Sequence, residues 1–285
     1  MHGLKKVKKL TCRIICSNGV MIGARGLMGE HGFAALVDDG HESVLFDTGQ
    51  SGNVLVNNLK TMRIKGIESI VLSHGHYDHS GGLMEYLARY PGRCPIYSQA
   101  SAFNRRFKKI DNKLREIGIP FMREGLEEAG AEIHESDGPQ MVADWLVTTG
   151  VIGRANAFEA PETEFLVESE GKLTADQFLD DLAIIAELDG KGLVIVTGCA
   201  HSGIINTVNH AKELVEEEKI YAIIGGYHLE GASEAKITKT IDALVRLDPS
   251  FIVPAHCTGK DATFAIKNAF GKRVIDGDVG LKITL

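Results

Sequence analysis

Residues 71–83 read VLSHGHYDHSGGL and place three histidines and one aspartate between a short apolar run and two glycines. The four side chains are His74, His76, Asp78 and His79, in a chain that has eleven histidines altogether. Neighbouring imidazolium ions repel one another, and burying them costs solvation free energy. A cation that takes the imidazole lone pairs removes both objections, so the stretch predicts a metal site.

Three later segments repeat the design of an apolar strand that passes into a small-residue loop with a histidine. They read VIVTGCAHSG, AIIGGYHLEG and FIVPAHCTG, and they carry His201, His228 and His256. Loops at one edge of a sheet lie close together, and glycine lets their backbones approach a shared centre. We therefore expect these histidines to converge on those of residues 71–83. Imidazole and carboxylate ligands without paired thiolates favour zinc, with iron or manganese as alternatives.

The composition of the 285 residues, with 44% hydrophobic and 24% charged side chains, is typical of a soluble globular protein. A net charge of −7 argues against nucleic-acid and anionic-membrane partners. No apolar run approaches the ~18 residues of a membrane span. Five cysteines without paired CxxC spacing predict reduced thiols and a cytoplasmic location.

The order of predicted elements indicates the architecture. The first half is rich in strands, and the second half alternates strands with helices. Two sheets packed together with helices outside fit this order best. We expect one domain over residues 1–285, with a charged, helical insertion at about residues 98–139.

The run His74-Gly75-His76-Tyr77-Asp78-His79 resembles the HxHxDH signature of the metallo-β-lactamase superfamily. The later histidines at 201 and 256 and the turn Phe46-Asp47-Thr48-Gly49 resemble other parts of the family pattern. The resemblance covers nearly the whole chain. It implies a mixed α/β fold, an αββα four-layer sandwich, with a cleft for two divalent metal ions along one sheet edge.

The resemblance also implies the ligands of both ions. One ion would be bound by His74, His76 and His201, and the other by Asp78, His79 and His256. Asp78 would in addition orient the attacking water, which makes it the predicted catalytic residue. Asp47 would lie behind the ligands and support them.

One departure from the family pattern concerns residues 225–228, Gly-Gly-Tyr-His, where the superfamily usually has a metal-bridging aspartate. Three explanations stay open: His228 coordinates a metal, the second site is weaker, or a single ion binds tightly. His228 facing the substrate is a further alternative. Cys199 and Cys257 adjoin two metal histidines, but their neighbours already complete a ligand set, so we expect small buried residues there.

A finer resemblance is to the family named 7,8-dihydropterin-6-yl-methyl-4-(β-D-ribofuranosyl)aminobenzene 5′-phosphate synthase. The stretches that carry it include HGFAALVDD, FDTGQSGNVLVNN, DDLAII, TGCAHSGIINTV and PAHCTG. It implies a transferase that joins a dihydropterin-methyl diphosphate to an aryl amine and releases pyrophosphate, in the synthesis of a methanopterin-type carrier. The alternatives are a zinc-dependent hydrolase of a phosphodiester, another ester or a lactone, and a non-catalytic metal- or pterin-binding protein.

Either reaction needs contacts to an anionic small-molecule substrate. The candidates are Arg154, His228, His31, Ser202 and the pair Arg105-Arg106. The helix expected after Ser202 could also offer backbone N–H groups to a phosphate. We expect no nucleic-acid or membrane partner, and a homo-oligomer stays open.

Overall fold

The computed structural model describes residues 3–285 and contains, within them, seventeen strands and seven α-helices. The strands are β1 Thr11–Cys16, β2 Ala34–Asp38, β3 Ser43–Phe46, β4 Ser69–Val71, β5 Cys94–Ser98, β6 Arg106–Ile110, β7 Lys113–Glu116, β8 Ala131–Glu135, β9 Met141–Ala143, β10 Leu146–Thr148, β11 Phe165–Ser169, β12 Lys172–Ala175, β13 Ala183–Leu188, β14 Gly192–Thr197, β15 Ile220–Gly225, β16 Phe251–Pro254 and β17 Lys282–Thr284. The helices are α1 Gly52–Thr61, α2 Tyr77–Ser80, α3 Leu83–Arg89, α4 Arg123–Glu128, α5 Ile204–Val215, α6 Glu234–Leu247 and α7 Lys260–Phe270. Among these described helices, none has the length and apolar content that crossing a membrane requires.

Two large sheets form the centre of the fold. One has seven strands in the order β17-β1-β2-β3-β4-β5-β8, and the other has six in the order β16-β15-β14-β13-β10-β9. The strands that precede the histidine loops have parallel neighbours: β4, which pairs with β3 and β5, in the first sheet, and β14, β15 and β16 in the second. Parallel strands end at the same edge of a sheet, so their following loops meet there.

Side chains that alternate along a strand pack into two different hydrophobic cores. In β14, Val194 and Val196 pack between the two sheets, whereas Leu193 and Ile195 pack with residues of α5, α6 and α7. The outer face of the seven-stranded sheet packs in the same way with residues of α1, α3 and α4. Because a strand alternates its side chains, a sheet covered on both faces is apolar at every position. The predicted mixed α/β sandwich of four layers is confirmed.

The charged stretch 98–139 differs from its prediction. We expected helices, but only α4 and one 3-10 turn are helical there, and the rest contributes β6, β7 and β8. The β6–β7 hairpin turns at Asp111 and Asn112, whose φ angles are 47° and 61°. Two consecutive residues with positive φ match a tight hairpin turn and cannot continue a helix. The lysines and arginines that favour a helix locally are therefore held as strands by this turn and by pairing with β11.

The hairpin belongs to a third sheet, with four strands in the order β12-β11-β6-β7. Its apolar side chain Phe165 packs with Ile117, Phe178 and Tyr77, next to the histidine loops. This small sheet therefore covers one side of the edge where those loops meet.

Candidate metal centre

The loops after β4, β14 and β16 bring most of the predicted ligands into two groups. Ligand atoms of His74, His76 and His201 lie within 4.8 Å of one another, and so do those of His31, Asp78 and His256. The short helix α2 begins at Tyr77, so Asp78 and His79 follow the extended residues of the same loop on a helical turn. Residues from distant parts of the sequence therefore face one centre.

The ring nitrogens at this centre have few partners. Buried nitrogens without a hydrogen-bond partner are His74 Nε2, His76 Nε2, both ring nitrogens of His201 and His228 Nδ1, and the buried His256 Nε2 has only the Asp78 carboxylate beside it. Burial lowers the pKa of His74, His76 and His201 well below the usual histidine value, so these rings are neutral and keep a free lone pair. Buried polar atoms in proteins are nearly always paired. A converging group of unpaired, neutral imidazoles therefore fits a divalent transition-metal ion.

Asp78 lies between the histidines of the second predicted group. Its Oδ2 is 3.2 Å from His31 Nε2, 3.2 Å from His256 Nε2 and 3.7 Å from His79 Nε2. Burial alone would raise the pKa of this carboxyl, but His79, His256 and His31 outweigh it and hold the pKa well below its usual range. Asp78 is therefore a carboxylate and can act as a ligand or hold a proton donor.

Asp47 and Ser73 support two of the histidines from behind. Asp47 Oδ2 is 2.7 Å from His79 Nδ1, and its two oxygens accept hydrogen bonds from the Ser73 N–H and hydroxyl, both at 2.7 Å. The Ser73 hydroxyl also lies 2.8 Å from His74 Nδ1. Burial disfavours the charged His79, but Asp47 and Asp78 outweigh it and raise the His79 pKa to about 9. Such partners fix the orientation of ligand rings and tune their basicity.

Asp180 and Asp181 contact the ligand loops, although the sequence did not single out either one as a site residue. Asp180 Oδ2 accepts a hydrogen bond of 2.7 Å from the N–H of Gly75, the residue between His74 and His76. Asp181 Oδ2 accepts one of 2.7 Å from the N–H of Ser202, which follows His201. Two adjacent carboxylates thus tie together the loops that carry one ligand group. The sequence signal was a pair of acids just before a mainly apolar strand.

Replacing Asp181 by alanine is expected to weaken metal binding about 10- to 100-fold while the protein stays folded, because the His201 loop loses its anchor. Competition with a coloured chelator measures the affinity, and circular dichroism checks the fold. Asp189, exposed at the far end of the β13–β14 hairpin, is the matched control. Unchanged affinity in the folded Asp181→Ala protein would show that the loop holds its geometry without this contact.

Arg154 and Ser202, two predicted substrate residues, make hydrogen bonds to other residues of the protein. Arg154 donates hydrogen bonds to the carbonyl oxygens of Glu159 at 2.6 Å, His201 at 2.9 Å and Gln177 at 3.3 Å. Ser202 is buried, with its N–H on Asp181. These contacts give both residues a positioning role around His201, and their contact with substrate stays a prediction.

The N-terminus of α5 does not match its expected use as a phosphate site. The N–H groups of Ile205 and Asn206 donate to the two carboxylate oxygens of Glu159, each at 2.9 Å. A carboxylate at a helix N-terminus takes the same partial positive charge that would attract a phosphate. The expectation of free N–H groups there is therefore wrong.

His31 and His228 lie at the margins of the centre. The His31 side chain is half exposed, and its ring centroid is 4.8 Å from that of His256. His228 has a φ of 47°, its ring centroid is 4.2 Å from that of His201, and its Nε2 is 3.3 Å from Glu162 Oε2. Both rings are within reach of an ion or a substrate held by the central histidines.

Two aromatic side chains from the region of the small sheet cover the first ligand group. Phe178 stacks on the ring of His201, with centroids 4.2 Å apart and planes at 4°. Phe165 lies 5.9 Å from the His76 ring and 5.7 Å from the His201 ring. The position of these aromatic rings depends on pairing between β6 and β11, so no local sequence pattern predicted it.

The four layers and the histidine–aspartate centre at one sheet edge define a metal-binding protein of the metallo-β-lactamase type. Residues 28–150 match the model of the metallo-beta-lactamase superfamily, and the chain belongs to that superfamily.

Three individual proteins are similar to this chain over most of its length. A protein of Methanocaldococcus jannaschii named uncharacterized protein MJ0448 is 34% identical over 236 residues, or 81% of this chain and 84% of the relative. The 7,8-dihydropterin-6-methyl-4-(beta-D-ribofuranosyl)-aminobenzene-5′-phosphate synthase of the same organism is 32% identical over 253 residues, or 85% of this chain and 84% of the relative. The crystal structure of Tm1679, described as a metal-dependent hydrolase of the beta-lactamase superfamily, has a TM-score of 0.81 and 29% identity over 96% of this chain and 98% of its own.

Proposed function

We propose that this protein is a metal-dependent enzyme that transfers a dihydropterin-methyl group from its diphosphate to an aryl amine. The observation that carries the metal dependence is the group of buried, unpartnered imidazoles beside the Asp78 carboxylate. The named synthase relative supports the choice of reaction. Zinc is the expected ion, with iron or manganese as alternatives, because the ligands are imidazole and carboxylate.

The ions would be held by His74, His76 and His201 on one side and by Asp78, His79 and His256 on the other. Bound there, they supply Lewis-acid stabilisation of the departing diphosphate oxygens. The remaining work belongs to the protein itself. Asp47, Asp180 and Asp181 hold the ligand loops in place before substrate arrives, which avoids reorganisation during the reaction.

Cationic side chains near the centre support an anionic substrate. Lys108 Nζ lies 4.7 Å from the centroid of Phe165, and the Arg115 guanidinium lies 5.9 Å from that of Tyr77. Both side chains come from the β6–β7 hairpin, beside the covered ligand group. Local positive charge raises the concentration of an anion at a cleft even where the net charge of the protein is negative.

A groove that meets the centre at His256 supports a substrate with two ring systems. Its volume is about 1370 Å³, and its lining includes His256, Asn18, Ile237 and Phe264. Phe264 is 67% exposed, which leaves its ring free to stack on a planar substrate. Small-molecule sites are usually concave, with apolar walls and a few polar groups at the reacting end.

Hydrolysis of a phosphate ester or diphosphate is the second candidate. The likeness to Tm1679, described as a metal-dependent hydrolase, favours it. The same ligand set serves either reaction, since what differs is whether an amine or a water attacks. The acceptor is therefore what the decisive experiment must vary.

Metal-loaded protein incubated with dihydropterin-methyl diphosphate is expected to release pyrophosphate only when 4-(β-D-ribofuranosyl)aminobenzene 5′-phosphate is present. Pyrophosphate is followed by a coupled assay, and the joined product by mass spectrometry. Release at the same rate without the amine would replace the transferase with the hydrolase. Tight pterin binding without pyrophosphate release, in protein that holds metal, would support a binding protein and overturn both.

A further inference from the structure

The strand end where the superfamily usually has a bridging aspartate has no room for a side chain. A Cβ on Gly226 would collide with the carbonyl oxygen of Gly198, and it would lie 2.6 Å from Cys257 Sγ and 3.3 Å from the Cα of Cys199. A Cβ on Gly225 would collide with the carbonyl oxygen of Thr197. The volume that a longer residue would need is therefore occupied by the chain of the neighbouring loops and by a cysteine side chain.

Cys199 stands between the two predicted ligand groups. Its Sγ belongs to three clusters whose ligand atoms all lie within 4.8 Å of one another: with His74 and His79, with His201 and His228, and with His256 and Cys257. Cys199 Sγ is also 3.1 Å from His79 Nε2. It therefore reaches members of the first ligand group and of the second, as a bridging ligand must.

The histidines around this sulfur also indicate that a metal ion binds here. The buried Nε2 of His74 and both ring nitrogens of His201 have no hydrogen-bond partner, and both histidines share a cluster with Cys199. Thiolate is a strong ligand for zinc, and imidazole completes many zinc sites that contain cysteine. The sulfur and the unpartnered nitrogens thus form one donor set of mixed type.

We propose that Cys199 Sγ is the ligand shared by the two metal ions, in the place of the aspartate that residues 225–228 lack. When the metal–sulfur bonds form, the S–H bond breaks and the proton leaves to buffer. This inference rests on the proposed metal-dependent function. Cys257 is the lesser candidate, because its described cluster contains Cys199 and His256 only and so reaches one ligand group.

Cobalt(II) substitution tests the inference without any assay of activity. Metal-free full-length protein loaded with two equivalents of Co²⁺ is expected to show a near-ultraviolet thiolate-to-cobalt charge-transfer band. The band should be lost in Cys199→Ser and kept in Cys257→Ser and in the control Cys94→Ser, whose buried thiol lies on β5. Cys199→Ser should also bind the second equivalent at least about tenfold more weakly.

The outcomes separate this inference from the proposed function. Protein that binds two cobalt ions without the band, or a band lost only in Cys257→Ser, would overturn the role of Cys199 and leave the metal-dependent function standing. Protein that binds no metal would overturn both. If Cys199→Ser does not fold, protection of the native thiol from an alkylating reagent by bound metal gives the same decision, because a coordinated sulfur reacts slowly. Cys199 that alkylates equally fast with and without two bound ions would contradict the proposal.

Discussion

Asp78→Ala is expected to reduce turnover by about 10²–10³-fold or more and to remove one of the two proposed metal ions. The Asp78 carboxylate lies 3.2 Å from both His31 and His256, so its loss leaves these rings without the charge that draws a cation between them. Metal content by elemental analysis and pyrophosphate release measure the two effects. Turnover should fall in the same protein preparation that retains the ion of His74, His76 and His201.

Two further variants sharpen this prediction. Asp78→Asn keeps the shape of the side chain and removes its charge, so it separates loss of charge from loss of packing. Asp242, exposed on α6, is the matched aspartate whose replacement by alanine should change neither metal content nor turnover. Two bound ions and full turnover in Asp78→Ala would remove Asp78 from both the ligand set and the catalytic role.

Arg106→Ala is expected to destabilise the protein by about 3–5 kcal/mol, because it leaves buried carboxylates without their counter-charge. The Arg106 side chain is 1% exposed, and its guanidinium lies 3.1 Å from Asp176 Oδ2 and 2.8 Å from Asp180 Oδ1. It also donates hydrogen bonds to three backbone carbonyl oxygens at 2.9–3.1 Å. Chemical unfolding of metal-free protein measures the change in the free energy of unfolding.

The neighbouring arginine provides the control for this prediction. Arg105 contacts Glu116 and Glu168, but its side chain is 58% exposed, so water screens these pairs and Arg105→Ala should have a much smaller effect. Arg106→Lys keeps the charge without the branched donor geometry, and we expect a stability between those of the native protein and Arg106→Ala. Equal effects of Arg105→Ala and Arg106→Ala would contradict the assigned burial.

The Arg106 network also links stability to the metal centre. Asp180, held by Arg106, accepts the hydrogen bond from the Gly75 N–H between two ligand histidines. Arg106→Ala should therefore weaken metal binding as well as folding, whereas a purely structural ion pair would affect folding alone. The sequence indicated Arg105 and Arg106 together as contacts for an anion, and burial shows that Arg106 faces inward.

Much of the metal centre could be predicted from the sequence, because its residues form short local patterns. The spacing of His74, His76, Asp78 and His79 lies within six residues, and each later histidine follows an apolar strand of its own. Alternation and apolar runs similarly reveal most strands and the long helices, because burial on one or two faces leaves a direct trace in residue order. These features need no knowledge of distant contacts.

Contacts between residues that are distant in sequence decided the other features of the fold and of the metal centre. Lysine and arginine in residues 105–115 favour a helix by local preference, but positive φ at Asp111 and Asn112 and pairing with β11 make them a hairpin. The roles of Asp180 and Asp181 depend on loops that are distant in sequence, and the central place of Cys199 depends on histidines from three other loops that lie around its sulfur. The sequence by itself predicted which residues would bind metal and which strands these residues follow. Only the tertiary structure decided which acids hold them and which sulfur lies between them, because those contacts join segments that residue order does not relate.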